Sequence, residues 1–191
     1  MNTGLFFGSF NPIHIGHLAI ANYMLEFANL DEIWLIVSPH NPLKKEENLL
    51  DENERLKMVQ LALSYDLKIK ALDIEFYLPK PSYTIDTLNF LSEKYPDKQF
   101  KIIIGTDNFK SFHQWKSYQE LLTNYDILVY PRAGYDIEEY KNYKNISLIN
   151  APLMEISSSF IRESLQQGKI LKYFLPCGVY DYIKKNHHYE K

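Results

Sequence analysis

The chain has 191 residues, 46% hydrophobic and 24% charged, which excludes a wholly disordered protein and suits one sizeable core rather than two. A formal net charge of −3 supplies no global field for nucleic acid or an anionic membrane, so a phosphate ligand must be met by local groups. The single Cys177 excludes an internal disulfide framework, and no secretory signal or membrane-length apolar stretch is visible. The expectation is a soluble, cytoplasmic chain forming one domain over 1–191, compatible with a homo-oligomer, without nucleic-acid or membrane partners.

In chain order, short apolar runs alternate with longer amphipathic segments. Strands are expected over 4–7, 32–37, 67–74, 100–104, 126–130 and 146–149. Helices are expected over 15–28, 52–64, 84–94, 117–122, 157–167 and 178–186. Asp51 and Ser157 are candidate N-caps, and Gly168 is a candidate stop. Strands rich in Ile, Leu and Val that alternate with helices argue for an α/β fold with a Rossmann-like, doubly wound parallel sheet. The ligand site of such a sheet lies at the carboxyl ends of its strands. The loops after Phe7, after Val37 and after Ile104 should therefore gather on one rim. Segments 44–48 and 133–145 read as mobile surface excursions, and 187–191 as a solvated tail whose removal is harmless.

The stretch Gly8-Ser9-Phe10-Asn11-Pro12-Ile13-His14-Ile15-Gly16-His17 carries the most chemistry. It joins an apolar strand to a helix, where backbone N–H groups and the positive helix end favour an anion. Gly8 and Ser9 let main chain lie against a nucleotide, and Gly16 removes a side chain from a phosphate's approach. His14 and His17 are expected on one face of the first helical turn, where imidazoles can donate to phosphate oxygens. A lone His-x-x-His pair is common and names no chemistry, and no Cys or carboxylate cluster stands near it with metal-ligand spacing. Far along the chain, Ile156-Ser157-Ser158-Ser159-Phe160-Ile161-Arg162 opens another helix. Its hydroxyls and N–H groups suit phosphate, and Arg162 adds a charge-assisted contact.

These two segments resemble the nucleotidyltransferases that carry a His-x-Gly-His motif and an Ile-Ser-Ser-Thr-x-Ile-Arg segment. That superfamily moves a nucleoside monophosphate from a triphosphate to a phosphate-bearing acceptor and releases pyrophosphate. Pro81 to Leu88, Gly105-Thr106-Asp107, Phe112-His113-Gln114-Trp115 and Glu54 to Met58 are similar to stretches of bacterial nicotinate-nucleotide adenylyltransferases. The resemblance implies transfer of AMP from ATP to nicotinate mononucleotide, giving the deamido dinucleotide. It also implies Mg²⁺ held mainly by the ATP phosphates.

Under that resemblance His14, His17 and Arg162 are the catalytic group. Gly8, Ser9, Phe10, Gly105, Asp107, Ile156, Ser157 and Ser158 join them around ATP. Asn11, Lys44, Thr84, Ile85, Trp115 and Arg132 are assigned to the acceptor. The physics agrees in several places: Trp115 is suited to stack on a pyridine ring, and N–H groups of Thr84 and Ile85 at a helix start are suited to its carboxylate. Asp107 is suited to ribose or adenine. For Lys44 a solvated lysine, and for Arg132 a rim salt bridge, remain open.

Two departures bear on the acceptor. The family often has Gly-Gly-Thr-Phe-Asp-Pro where this chain has Phe7-Gly8-Ser9-Phe10-Asn11-Pro12. Phe7 and Asn11 resemble nicotinamide-nucleotide adenylyltransferases there. Transfer onto nicotinamide mononucleotide is thus the enzymatic alternative, while Trp115 and the Pro81 segment disfavour phosphopantetheine. A regulatory nucleotide-binding module is the non-enzymatic alternative, opposed by the intact His14, His17 and Arg162.

Overall fold

Alternation along the strands builds the molecule. In the computed structural model, which describes residues 1–40, 49–64, 66–135 and 143–190, six strands form one parallel sheet ordered β3-β2-β1-β4-β5-β6. They are β1 (Asn2–Gly8), β2 (Glu32–Val37), β3 (Ile69–Leu72), β4 (Gln99–Gly105), β5 (Asp126–Tyr130) and β6 (Ile146–Leu148). Leu5, Trp34, Ile36, Ile102, Ile104, Ile127 and Val129 point to one face. Phe6, Ile33, Leu35, Val37, Ile103, Leu128 and Tyr130 point to the other. That period of two buries both faces, as parallel sheets require.

Helices α1 (Ile15–Phe27), α2 (Glu52–Ala62), α6 (Ser158–Gln166) and α7 (Val179–Lys185) supply residues to the Phe6 face. Helices α3 (Thr84–Lys94), α4 (Thr106–Phe109) and α5 (Tyr118–Asn124) cover the Leu5 face. Ile102 and Leu88 are fully buried against each other's layer, and truncating either to Ala costs about 2–5 kcal/mol. Strands β1 and β4 are neighbours, so the winding reverses between them and their loops open a crevice.

Local signals set the helix ends. The Asp51 carboxylate accepts from Asn53 N–H at 2.9 Å, and the Ser157 hydroxyl from Phe160 N–H at 3.2 Å. After α6, Gly168 turns left-handed at φ 73°, the stop that its composition suggests.

Two differences from the sequence reading place functional groups. The strand expected over 67–74 is shorter, because Asp66 Oδ1 accepts from both Lys68 and Ile69 N–H and holds the start in a turn. Beyond β3 a 3-10 turn, Ile74–Phe76, carries Glu75 inward. The short helix α4, unexpected from the sequence, begins directly at the end of β4. Among the described residues no helix is long and apolar enough to cross a membrane. Lys44 lies outside the described residues, as does most of the excursion expected over 133–145.

Candidate active site

The β1–α1 loop is shaped by Phe10, which takes a left-handed conformation at φ 44° and is buried. Its ring lies over Gly8, where an added Cβ would stand 2.8 Å from it, so glycine there makes room for the phenyl group. The Phe10 ring also meets His17 edge-on at 5.1 Å between centroids. Phe10 thus supports the histidine from the core.

His14 is the N-cap of α1 in extended conformation, rather than a member of its first turn. The two imidazoles stack at 3.7 Å. The His14 backbone N–H donates to His17 Nδ1 at 3.3 Å, so a neutral His17 carries its hydrogen on Nε2. Burial, reinforced by Arg132, pulls the His14 imidazole down to about 4. His14 is therefore neutral at pH 7 and offers a hydrogen bond rather than a charge. A Cβ on Gly16 would stand 3.1 Å from His14 Nδ1, so this glycine chiefly admits the His14 ring.

Arg162, one turn into α6, donates from Nη1 to Asn11 O at 2.8 Å and from Nη2 to Ser159 Oγ at 3.3 Å. Ser158 Oγ donates to Pro12 O at 2.9 Å. Both hydroxyls expected to face phosphate are therefore engaged, Ser157 as cap and Ser158 in tying α6 to the β1–α1 loop. The N–H groups of the first turn of α6, with the Arg162 guanidinium, are the donors suited to an anion.

At the end of β4, Gly105 is required because a Cβ there would reach within 2.5 Å of Asp107 Oδ1. That oxygen is buried without a hydrogen-bond partner among the described residues. Arg132 Nε stands 3.8 Å from Asp107 Oδ2, and its Nη1 donates to Met154 O at 2.5 Å. Arg132, assigned to the acceptor from the sequence, thus sits beside Asp107 and His14, two residues assigned to ATP.

One cavity of about 620 Å³ joins these parts. Of the expected site residues that the structure describes, all line it except Ile85, whose side chain is buried. Thr84 and Trp115 also line it, and Trp115 rests on Phe112 with centroids 5.1 Å apart. Thr84 opens α3, so the N–H groups of Thr84 and Ile85 have no carbonyl one turn earlier in the helix.

Two residues escaped the sequence reading. Arg55, 1% exposed, donates to Leu50 O, Ser9 O, Ser38 O and Pro39 O at 2.7–3.1 Å, joining the loops after β1 and β2. Only its place within the resembling Glu54–Met58 stretch pointed to it. Glu75 lines the cavity and accepts from Thr87 Oγ1 at 2.9 Å. Burial raises its carboxyl, opposed by the nearby Ser38, Thr87 and Ser82 hydroxyls, of which Thr87 makes the hydrogen bond. No spacing in the sequence marks a lone buried acid of this kind.

The C-terminal segment also departs from expectation. Tyr189 is half-buried and its hydroxyl donates to Asn11 Oδ1 at 2.6 Å, so 188–190 pack against the domain rather than form a solvated tail, while His187 is exposed.

Comparison with known proteins agrees with this architecture. A family model described as cytidylyltransferase-like matches residues 5–164, and the chain belongs to that family. A Flavobacterium johnsoniae protein named a probable nicotinate-nucleotide adenylyltransferase is 53% identical, with 100% of both chains covered. A Bacteroides fragilis protein of the same name is 48% identical over 95% of this chain and 90% of its own. In fold, the chain resembles Plasmodium falciparum nicotinic acid mononucleotide adenylyltransferase complexed with NaAD, with a TM-score of 0.83 at 23% identity. That match covers 98% of this chain and 97% of the other.

Proposed function

We propose that this protein transfers AMP from ATP to nicotinate mononucleotide, giving the deamido dinucleotide and pyrophosphate. The observation that carries the reading is the shared cavity: two segments suited to phosphate, from distant parts of the chain, line one pocket with Trp115 and a helix start. The curated relatives carry the name of that activity over the full chain.

The 5′-phosphate of the acceptor attacks the α-phosphorus of ATP in line, and pyrophosphate leaves. This nucleophile is already an anion, so the site needs no strong base; it must align two anions and spread charge. His17 donates from Nε2, Arg162 supplies the fixed positive charge, and the first turn of α6 supplies N–H groups. Neutral His14 adds a hydrogen bond, and Asp107 Oδ1 accepts from the nucleoside. The acceptor ring stacks on Trp115, with its carboxylate at the N–H groups of Thr84 and Ile85.

Imidazoles, guanidiniums and helix N–H groups are donors that suit phosphate oxygens rather than a protein metal cage. Mg²⁺ thus belongs to this reading as the salt of the triphosphate, where it supplies charge neutralisation when bound. The test is purified protein with ATP, Mg²⁺ and equal nicotinate and nicotinamide mononucleotides, following both dinucleotides and pyrophosphate. The deamido product should predominate. Release of no pyrophosphate with either acceptor would overturn the reaction, and equal rates only the selectivity.

A further inference from the structure

Asn11 is a joint among four parts of the chain. Its carbonyl accepts from Arg162 of α6, and its Oδ1 accepts from Leu50 N–H at 3.3 Å, just before α2, and from the Tyr189 hydroxyl. An amide whose oxygen is taken by two donors has one orientation, with Nδ2 turned the other way. Asn11 is 4% exposed and lines the cavity, so that orientation reaches the site.

The segment bearing Tyr189 is itself held. His188 Nε2 lies 2.8 Å from Glu54 Oε2, and Tyr182 Oη donates to the same oxygen at 2.8 Å. Burial keeps the Tyr189 phenol raised, although the Arg162 and Arg55 guanidiniums oppose it. The hydroxyl therefore stays protonated as a donor at neutral pH. The two guanidiniums that act on it are those that hold the loops of the site together.

We propose that Tyr189 is a positioning residue for acceptor binding, its hydroxyl locking the Asn11 amide and so making the C-terminal segment part of the active site. This rests on the adenylyl-transfer reading above. Nothing in the proposal requires Tyr189 to touch substrate.

The test compares wild type, Tyr189→Phe, Asn11→Ala and the double variant, with Tyr173→Phe on an exposed face as control. Steady-state rates give KM for each substrate, and calorimetry gives Kd for nicotinate mononucleotide. Tyr189→Phe keeps the ring and is expected to raise the acceptor KM and Kd about tenfold, with the ATP KM within about twofold. In the Asn11→Ala background it should change the acceptor Kd less than about twofold, because the shared contact is already gone. A merely structural tyrosine would lower the active fraction or the melting temperature and leave the acceptor KM unchanged, overturning the proposal. Equal penalties in both backgrounds would also overturn it. Inactive wild-type protein would instead sink the adenylyl-transfer reading, while the calorimetric Kd would still read the coupling of Tyr189 to Asn11.

Discussion

At the amino ends of the strands, buried Glu32 meets Thr3, Lys70 and Lys98 at 2.5–3.1 Å. Burial alone would raise its carboxyl, but hydrogen bonds led by Lys70 and Lys98 hold it at about 2. At the carboxyl ends, His14 Nδ1, Glu75 Oε2, Ser82 Oγ and Asp107 Oδ1 are buried with no hydrogen-bond partner among the described residues. All four residues line the cavity. Trp34 Nε1, near Glu32, is the one further buried side-chain atom without such a partner among the described residues. The amino-end rim thus engages most of its polar groups in the fold, while the other leaves four open toward the cavity, at a cost in stability. A preorganised site has this character: its donors and acceptors are placed before the charge they will meet.

This contrast can be broken most directly at His17. Replacing it with Ala should lower kcat about 100- to 1,000-fold with the melting temperature nearly unchanged. Turnover near wild type would remove its role at the transition state.

Acid should expose the uncompensated rim next. Unfolded, His14 takes its proton near 6.5; folded, burial and then Arg132 hold it to about 4. Its contribution is fully present above pH 6.5 and is lost as pH falls toward 4, because the unfolded chain binds the proton first. That loss reaches about 3 kcal/mol. Glu75 acts in the opposite sense, since burial raises it and a lower pH relieves its cost. Urea unfolding between pH 7 and 4 should show a shallower slope in His14→Asn than in wild type; identical slopes would contradict a buried neutral His14.

Arg55→Met should cost about 2–3 kcal/mol, by orphaning carbonyls of the loops after β1 and β2. Substrate KM should rise with it, measured beside denaturant unfolding. A loss of stability with unchanged kinetics would confine Arg55 to folding. At the opposite rim, Glu32→Gln should cost about 2 kcal/mol and leave both KM and kcat as they are. A kinetic defect there would mean that the two ends are coupled through the sheet.

Much of this was legible in the chain because it depends on local order. The parallel sheet, the caps Asp51 and Ser157 and the stop at Gly168 follow from periodicity and turn chemistry. The pairing of the decapeptide with the Ile156–Arg162 segment came from motif resemblance, and the cavity places both together. The strand ends around 67–74 were less legible, because Asp66 ends the extended stretch through its side chain.

The sequence by itself determined the fold class and the residue types that suit a polyphosphate, both consequences of short-range patterns. Only the tertiary structure decided the strand order, that His14 is a neutral cap, that Gly8 and Gly16 make room for rings, and that Ser158 ties α6 to the β1–α1 loop. It alone brought Arg55 to the loop carbonyls, Glu75 into the cavity and Tyr189 onto Asn11, 178 residues away. Burial and hydrogen-bond partnership arise between segments distant in the chain, so no local pattern of residues can carry them.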